Sequence, residues 1–414
     1  MKIETTTALK SEPASGGGGG VWKSSLRDYG LLGSLLLIMG FFEFMTGGVL
    51  LAPVNITNLV LQNSYIVVMA LGMLLIIVGG NIDLSVGSIV GFVGAIAATM
   101  MVDYQMPWGL VVGISLVLGA AIGAAQGYFV AFARIPSFIV TLGGMLIFRG
   151  LTGNILLGQF VGPFPKDFQA ISSGFIPDFV SGPLNSLFSD GFIFGPNFRW
   201  TSMLIGIAGA ALLIFTSSRR WRNEKAHTME TEPFALFIGK NAIFAILIVG
   251  LSYLLASYRG LPNVLVIMGV LILLYTFVTT RMTIGRRIYA LGGNRLAAQL
   301  SGIRTERLIF LTFVNMGVLA GLAGLIVAAR LNSATPSAGN SFELDVIAAC
   351  FIGGASASGG VGKVLGVVIG AFVMGVMNNG MSILGIGIYW QYVVKGIVLL
   401  SAVYVDVYQK NNAA

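Results

Sequence analysis

The sequence is poor in reactive side chains. Its 414 residues include one cysteine, Cys350, and one histidine, His227, and only 10% of positions are charged. A lone cysteine excludes an internal disulfide, and one histidine leaves no metal cluster to assemble. Neither H-E-x-x-H nor G-x-S-x-G occurs, so metal-dependent hydrolysis and serine acylation lack their parts. The nearest approach to a phosphate-binding loop is Gly362-Lys363. That pattern wants glycine at 357 and a hydroxyl at 364, where Ala357 and Val364 stand. The chain is expected to be non-catalytic, with no metal site and no nucleotide cofactor of its own.

What is present is apolar. The chain is 56% hydrophobic with a mean hydropathy of +0.89, whereas soluble domains carry about 25% charged residues. So few charges cannot solvate a body this size, and the chain reads as an integral membrane protein. Its 57 glycines, about twice the usual ~7% share, fit helices packed backbone to backbone in lipid. The net charge of +8 is no nucleic-acid signature, because the cations collect in short loops between apolar stretches. Cys350, inside the run Val346–Ile352, reads as a small buried hydrophobe, and His227, among charges, as solvated.

Residues 1–28 are polar, with Gly16–Gly20 marking a flexible tail, and lack the short apolar core of a cleavable signal. A membrane domain follows over 29–406, with 407–414 as a second tail. Its first apolar run extends from Tyr29 past Leu50, enough at ~20 residues to cross a bilayer. Others lie near 64–80, 86–102, 108–133, 137–157, 200–216, 241–257, 263–280, 308–329, 346–357, 364–384 and 390–405. Three of the twelve are short and glycine-rich, so the pattern predicts an all-α polytopic protein of ten to twelve transmembrane or re-entrant helices.

Charge predicts the orientation. Residues 281–307 hold Arg281, Arg286, Arg287, Arg295, Arg304 and Arg307 against Glu306, and residues 217–240 hold five cations against three glutamates. By contrast 158–198 has Lys166 against Asp167, Asp178 and Asp190, and 330–345 has Arg330 against Glu343 and Asp345. The first pair is expected in the cytoplasm and the second in the periplasm, with both termini cytoplasmic. A shift of 275 residues superposes Gly79, Val86, Gly87 and Gly91 on Gly354, Val361, Gly362 and Gly366. Abundant glycine alone produces such a match by chance about as readily as a true repeat does. The twelve-span count makes the two copies parallel, and an inverted pair requires one span to be re-entrant.

Five ionisable residues fall within or at the edges of apolar runs: Glu43, Asp83, Arg149, Lys363 and Lys395. Each needs a partner, water or the interface. Glu43 and Lys395, near span ends, are expected to snorkel, whereas Asp83 and Arg149 are functional candidates, with helix capping or ion pairing as the structural alternative. The other polar groups are amides: Gln126, Asn315, Asn378 and Asn379 within spans, and Asn55, Asn58, Gln62 and Asn63 at the outer mouth of the second. Amides donate and accept together, which suits hydroxyl-rich neutral solutes. With Asp83 they are the candidate lining of a substrate path, and helix–helix hydrogen bonding is the alternative for any one of them.

Several segments taken together resemble a known family. They are Asn81–Ser88 (NIDLSVGS), Ile135–Gly143 (IPSFIVTLG), Gly285–Asn294 (GRRIYALGGN), Leu300–Ile303 (LSGI), Ala334–Asn340 (ATPSAGN), Ile352–Ser356 (IGGAS) and Trp390–Lys395 (WQYVVK). In order over roughly 50–406, they look like permease subunits of bacterial monosaccharide ABC importers, most of all the xylose and multiple-sugar type. The stretch 217–240 departs from the shorter ribose-type members as a cytoplasmic insertion. The resemblance implies an inner-membrane permease working as a homodimer, with cytoplasmic ATPase subunits that carry ATP and magnesium and a periplasmic sugar-binding protein. The solute it implies is a monosaccharide, moved inward by alternating access. It further implies short cytoplasmic helices that grip the ATPase, formed by Gly285, Arg286, Arg287, Gly293, Asn294, Ala297, Ala298, Ser301, Gly302 and Ile303. Independently, Ala297, Ala298, Ser301 and Gly302 offer a compact face beside Leu300 and Ile303. An ion-coupled secondary sugar carrier is the alternative, and would need a coupling-ion site.

The orientation of these loops is directly testable. A cysteine at Ser173 or Ser337 should react with an impermeant thiol reagent added outside intact spheroplasts. Labelling confined to lysed cells would reverse the topology.

Overall fold

The computed structural model describes residues 18–181, 198–226 and 234–411. Fifteen α-helices occur among them: α1 (Gly18–Met45), α2 (Pro53–Val78), α3 (Val86–Ala98), α4 (Trp108–Ala131), α5 (Ser137–Leu156), α6 (Lys166–Ser173), α7 (Trp200–Ala226), α8 (Phe234–Ala256), α9 (Asn263–Arg281), α10 (Thr283–Gly293), α11 (Arg295–Leu300), α12 (Thr305–Leu331), α13 (Phe342–Ile352), α14 (Val364–Ile383) and α15 (Ile388–Asn411). Ten are long and apolar enough to cross a membrane: α2, α3 with its π-helical continuation to Asp103, α4, α5, α7, α8, α9, α12, α14 and α15. The apolar part of α1, Gly30–Met45, and the 11-residue α13 account for the other two runs. The N-terminal tail is shorter than expected, because α1 begins at Gly18, and α15 continues as helix through 407–411. Residues 1–17, 182–197, 227–233 (with His227) and 412–414 lie outside the described residues.

α2 is the axis of the bundle. It starts with proline at its first position, where the missing N–H breaks no bond, and every residue from Asn63 to Val78 is buried. Such a helix, apolar all round, needs neighbours on every side. It ends at Gly79-Gly80, where Gly80 takes φ +78° and the Asn81 N–H reaches back to the Ile76 carbonyl.

Two sets of four helices repeat one packing pattern. α12 runs antiparallel to α4, with Gly317 against Gly119 and Phe313 against Gly123, and α2 runs antiparallel to α14, with Asn63 at Gly375 and Leu74 at Gly362. α12 runs parallel to α3, Gly324 resting on Val90 and Ala328 near Gly94. α2 likewise runs parallel to α13, Tyr65 stacked on Phe342 and Ala70 meeting Cys350. α3 packs on α5 through Phe92 and Phe148, as α13 packs on α15 through Asp345 and Lys395. The sets α2–α5 and α12–α15 therefore correspond helix for helix. Since α2 ends on the side where α12 begins, they are inverted, the arrangement of many transporter folds. The 275-residue glycine register is a different thing. By conformation Gly79 (φ −72°, ψ 0°) matches Gly353 (φ −69°, ψ 0°), and Gly80 matches Gly354 at φ +82°. The shared feature is one helix-ending turn, one residue out of the sequence register.

Loops sort onto two sides. The break after α2, the α4–α5 turn, α10, α11 and the 353–363 loop lie together: Asn81, Arg134, Arg295 and Glu306 line one cleft, and the Gly360 N–H bonds the Val78 carbonyl. This is the basic side. On the other, Val161 bridges Ala334, Phe175 bridges Pro262, and the Arg199 N–H bonds the Ala256 carbonyl. The stretch 158–181 and residues 332–334 are thus opposite the basic loop. Contrary to what its charge predicts, only the start of 330–345 lies at that end. The segment then dips inward, Gly339 pressing on Gly87, so that Glu343 and Asp345 are buried at the start of α13. The run 346–357 is likewise helix only to Ile352, then loop.

Backbone contact across α4 and α12 leaves no room for side chains. A Cβ at Gly317 would sit 2.1 Å from the Gly119 carbonyl oxygen, whereas at Gly113 it would meet nothing within 4 Å. Gly317→Val should therefore abolish accumulation or lower the melting temperature sharply by fluorescence size-exclusion assay. Gly113→Ala should match or exceed the parent, by up to about 1 kcal/mol of helix propensity.

Candidate functional site

Charge is concentrated at the N-terminal turn of α13, where the dipping segment becomes helix. Lys395, on α15, places Nζ 2.9 Å from Asp345 Oδ1 and donates to Oδ2 at 3.1 Å. Oδ2 also accepts from the Tyr65 hydroxyl at 2.9 Å and from Asn378 at 3.2 Å. Asp345 is thus a buried carboxylate with a cation and two neutral donors, the condition under which such a charge is tolerated. Lys395 does not snorkel; it is buried. A second pair lies beside the first, Arg149 on α5 donating to Glu343 at 2.9 Å. α5 and α15 are counterparts in the inverted halves, so each half sends one cation to the same half-helix. From sequence alone Glu343 and Asp345 pass for outer-loop charges, because a polar loop followed by Phe342-Glu343-Leu344-Asp345 reads as solvated. The available clue was two opposite charges, Arg149 and Lys395, in want of partners.

Asp83 sits at the corresponding place before α3. Its Oδ1 accepts from the Ser85 N–H at 2.8 Å and hydroxyl at 2.6 Å, and the hydroxyl in turn contacts Gln126 of α4. Burial pushes its pKa up to about 6, against these two bonds, which lower it. Asp83 and Gln126 are therefore brought together as a turn-and-cap network, in which asparagine at 83 would keep the same acceptor. The other amides mostly hold helices to one another. Asn55 and Asn379 bond reciprocally at 2.8 and 3.1 Å, Asn315 accepts from the Tyr275 hydroxyl, Asn378 serves Asp345, and Asn63 bonds its own helix at the Leu59 carbonyl. Gln62 is exposed and Asn58 half-buried. Glu43 caps the turn to α2, accepting from the Leu51 N–H at 2.8 Å.

On the basic side, α10 and α11 form a bent arm. Gly285 is packed so closely on the end of α9 that a Cβ would meet the Val278 carbonyl oxygen at 2.2 Å. Arg286, Arg287, Gly293, Ala297 and Ser301 are exposed, and Asn294 caps α11 by accepting from the Ala297 N–H. Gly302 has φ +80° with nothing near it, so its role is the left-handed turn ending α11, not close approach. Ala298 is buried and Ile303 packs inward. The apolar residues presented outward are Leu296 and Leu300, 67% and 83% exposed, one helical turn apart. The arm is tied to the bundle: the Tyr289 hydroxyl donates to the Gly362 carbonyl at 2.7 Å, and Gly292 abuts Val78 and Gly360. A push on α10 therefore reaches both the end of α2 and the loop joining α13 to α14.

A multi-pass bundle with inverted halves, a broken helix pinned by intramembrane charge and a basic arm outside it together define a membrane transport protein. The chain belongs to the family described as branched-chain amino acid transport system / permease component (BPD_transp_2), whose model matches residues 55–403. It is similar to the xylose transport system permease protein XylH of Escherichia coli, 39% identical over 394 residues covering 95% of both chains. XylH of Haemophilus influenzae is 39% identical over 93% of this chain and 97% of its own. The ribose import permease protein RbsC of E. coli is 34% identical over 85% of each. No solved structure matches.

The Asp345 pair makes a signed prediction. Lys395→Met strands a buried carboxylate and should destabilise the detergent-solubilised protein by ~3–5 kcal/mol. Lys395→Met with Asp345→Asn should recover most of that loss. A thermal-shift assay on the single and double variants measures both.

Proposed function

We infer that this chain is the permease subunit of an ABC sugar importer in the bacterial inner membrane. The observation that carries the reading is its end-to-end likeness to xylose transport permeases, joined to a basic arm shaped for a second protein. The solute is a monosaccharide of the xylose class. ATP and magnesium belong to a separate cytoplasmic ATPase, and this chain supplies the path. A periplasmic sugar-binding protein delivers the solute to the side bearing 158–181 and 332–334. A second copy of the chain completes the path. Both termini then lie in the cytoplasm with the arm.

Coupling follows from the contacts of the arm. Leu296 and Leu300 seat α11 in the ATPase, with the exposed arginines around them, and closure of the ATPase pair moves α10. Tyr289 and Gly292 pass that movement to α2 and to the 353–363 loop, from which α13 and α14 depart. The inverted halves then exchange which end is open.

Leu296→Asp with Leu300→Asp, and separately Gly302→Trp, leave the spans untouched. Each variant should reach the membrane at parental levels, yet retain the co-expressed ATPase about 5- to 150-fold less well on affinity purification and fail to import sugar. Sugar uptake by the purified chain alone in proteoliposomes, driven by an ion gradient, would establish the secondary-carrier alternative instead.

A further inference from the structure

Arg149 is in an unusual position. It lies twelve residues, ~18 Å, into α5, near the middle of a span, yet its side chain is 37% exposed. A guanidinium turned toward acyl chains at that depth costs at least ~2.5–3.5 kcal/mol. The backbone beside it is irregular: Ala338 and Gly339 lie against Gly91 and Gly87, and Ser337 and Asn340 present exposed polar side chains. Irregular backbone at membrane depth persists only against protein or water. Two independent features thus require this face of the chain to meet water or protein rather than lipid, and its exposed polar groups favour water.

The ion pair there is incomplete. Arg149 donates to Glu343 Oε1, while its own Nε and Glu343 Oε2 are shielded from water and lack partners. Glu343 is nine-tenths buried and cancels the guanidinium charge without using all of its donors. The result is a neutral pair whose exposed guanidinium face keeps donors available, which suits a neutral polyol better than an anion or a cation.

We propose that Arg149, oriented by Glu343 beside the unwound segment that carries Asn340, is a weak mid-membrane subsite at which the permease itself hydrogen-bonds the sugar in transit. This rests on the permease reading above. Weak binding is what passage requires, since a solute held tightly there would not leave. Arg149 is the contact, Glu343 the positioning residue.

The experiment uses the full transporter, permease with its ATPase and binding protein, in proteoliposomes. Ser337→Cys is the reporter, since the native Cys350 is buried. Its rate of reaction with a small methanethiosulfonate is measured with D-xylose, with D-ribose, and with glycine betaine as osmotic control. The pentoses should slow labelling by about threefold or more, and the betaine should not. Arg149→Met, which keeps length but removes all donors, should abolish that protection while binding-protein-stimulated ATPase activity persists. Asn340→Leu, which leaves the ion pair intact, should reduce protection severalfold with normal assembly. That second variant decides the matter should Arg149→Met fail to assemble. Equal labelling with and without pentose in a complex that still imports sugar would overturn the subsite and leave the permease reading standing. So would undiminished protection in both variants. A parent complex that neither retains an ATPase nor imports sugar would instead overturn the permease reading.

Discussion

Within a bilayer, apolar side chains gain little by leaving lipid for one another, so helices need another reason to meet. Here the reason is contact of backbone with backbone. Gly119, Gly123 and Gly317 let α4 and α12 come together closer than any side chain permits. In the inverted counterpart, α2 on α14, the glycines receive side chains instead, Asn63 at Gly375 and Leu74 at Gly362 just before α14. Dispersion at such short range replaces the hydrophobic effect as the organising force. Gly127, Gly321 and Gly324 press on neighbouring backbone in this way, whereas eleven other glycines among the described residues take positive φ, most of them in turns.

That tight frame makes room for one irregular feature. The 332–341 segment enters the bundle unwound, and α13 begins only at Phe342. An unwound segment leaves amides and carbonyls without helical partners, and Gly87, Gly91 and Gly339 allow it to lie against α3. Two carboxylates at its end are held by cations from α5 and α15. A pair of this kind contributes little net stability and a great deal of positional specificity, because losing one partner is far worse than losing both. The half-helix is thus fixed by charge at its start and by close packing on α14 further along, where Ala349 meets Gly370.

The basic arm and the charged half-helix are linked by short, rigid parts. Tyr289 and Gly292 reach the 353–363 loop and the end of α2, and that loop leads directly into α13 and α14. Asp83, Ser85 and Gln126 hold the start of α3 on the same side. Movement at the arm therefore acts on the beginnings and ends of discontinuous helices, where few helical hydrogen bonds must break.

Hydropathy and charge are properties of neighbouring residues, so they were legible without coordinates. Ten to twelve apolar helices, and the separation of the basic loop 281–307 from the stretch 158–181, follow from runs of like residues. So did the position of the arm, although Ile303 turned inward and Leu296 took its place beside Leu300, since one turn of helix decides which side chain faces out. The pairings were another matter. Tyr65 and Asp345 are 280 residues apart, Arg149 and Glu343 are 194, and Asn55 and Asn379 are 324. No local pattern specifies which of many amides and charges will meet across such distances. Lys395 read as a snorkelling residue and Glu343 as part of an outer loop, because each is cheap to solvate alone. Only the closing of α5 and α15 around the unwound entry to α13 removed water from them, and with water gone each charge had to take the partner the fold put within reach.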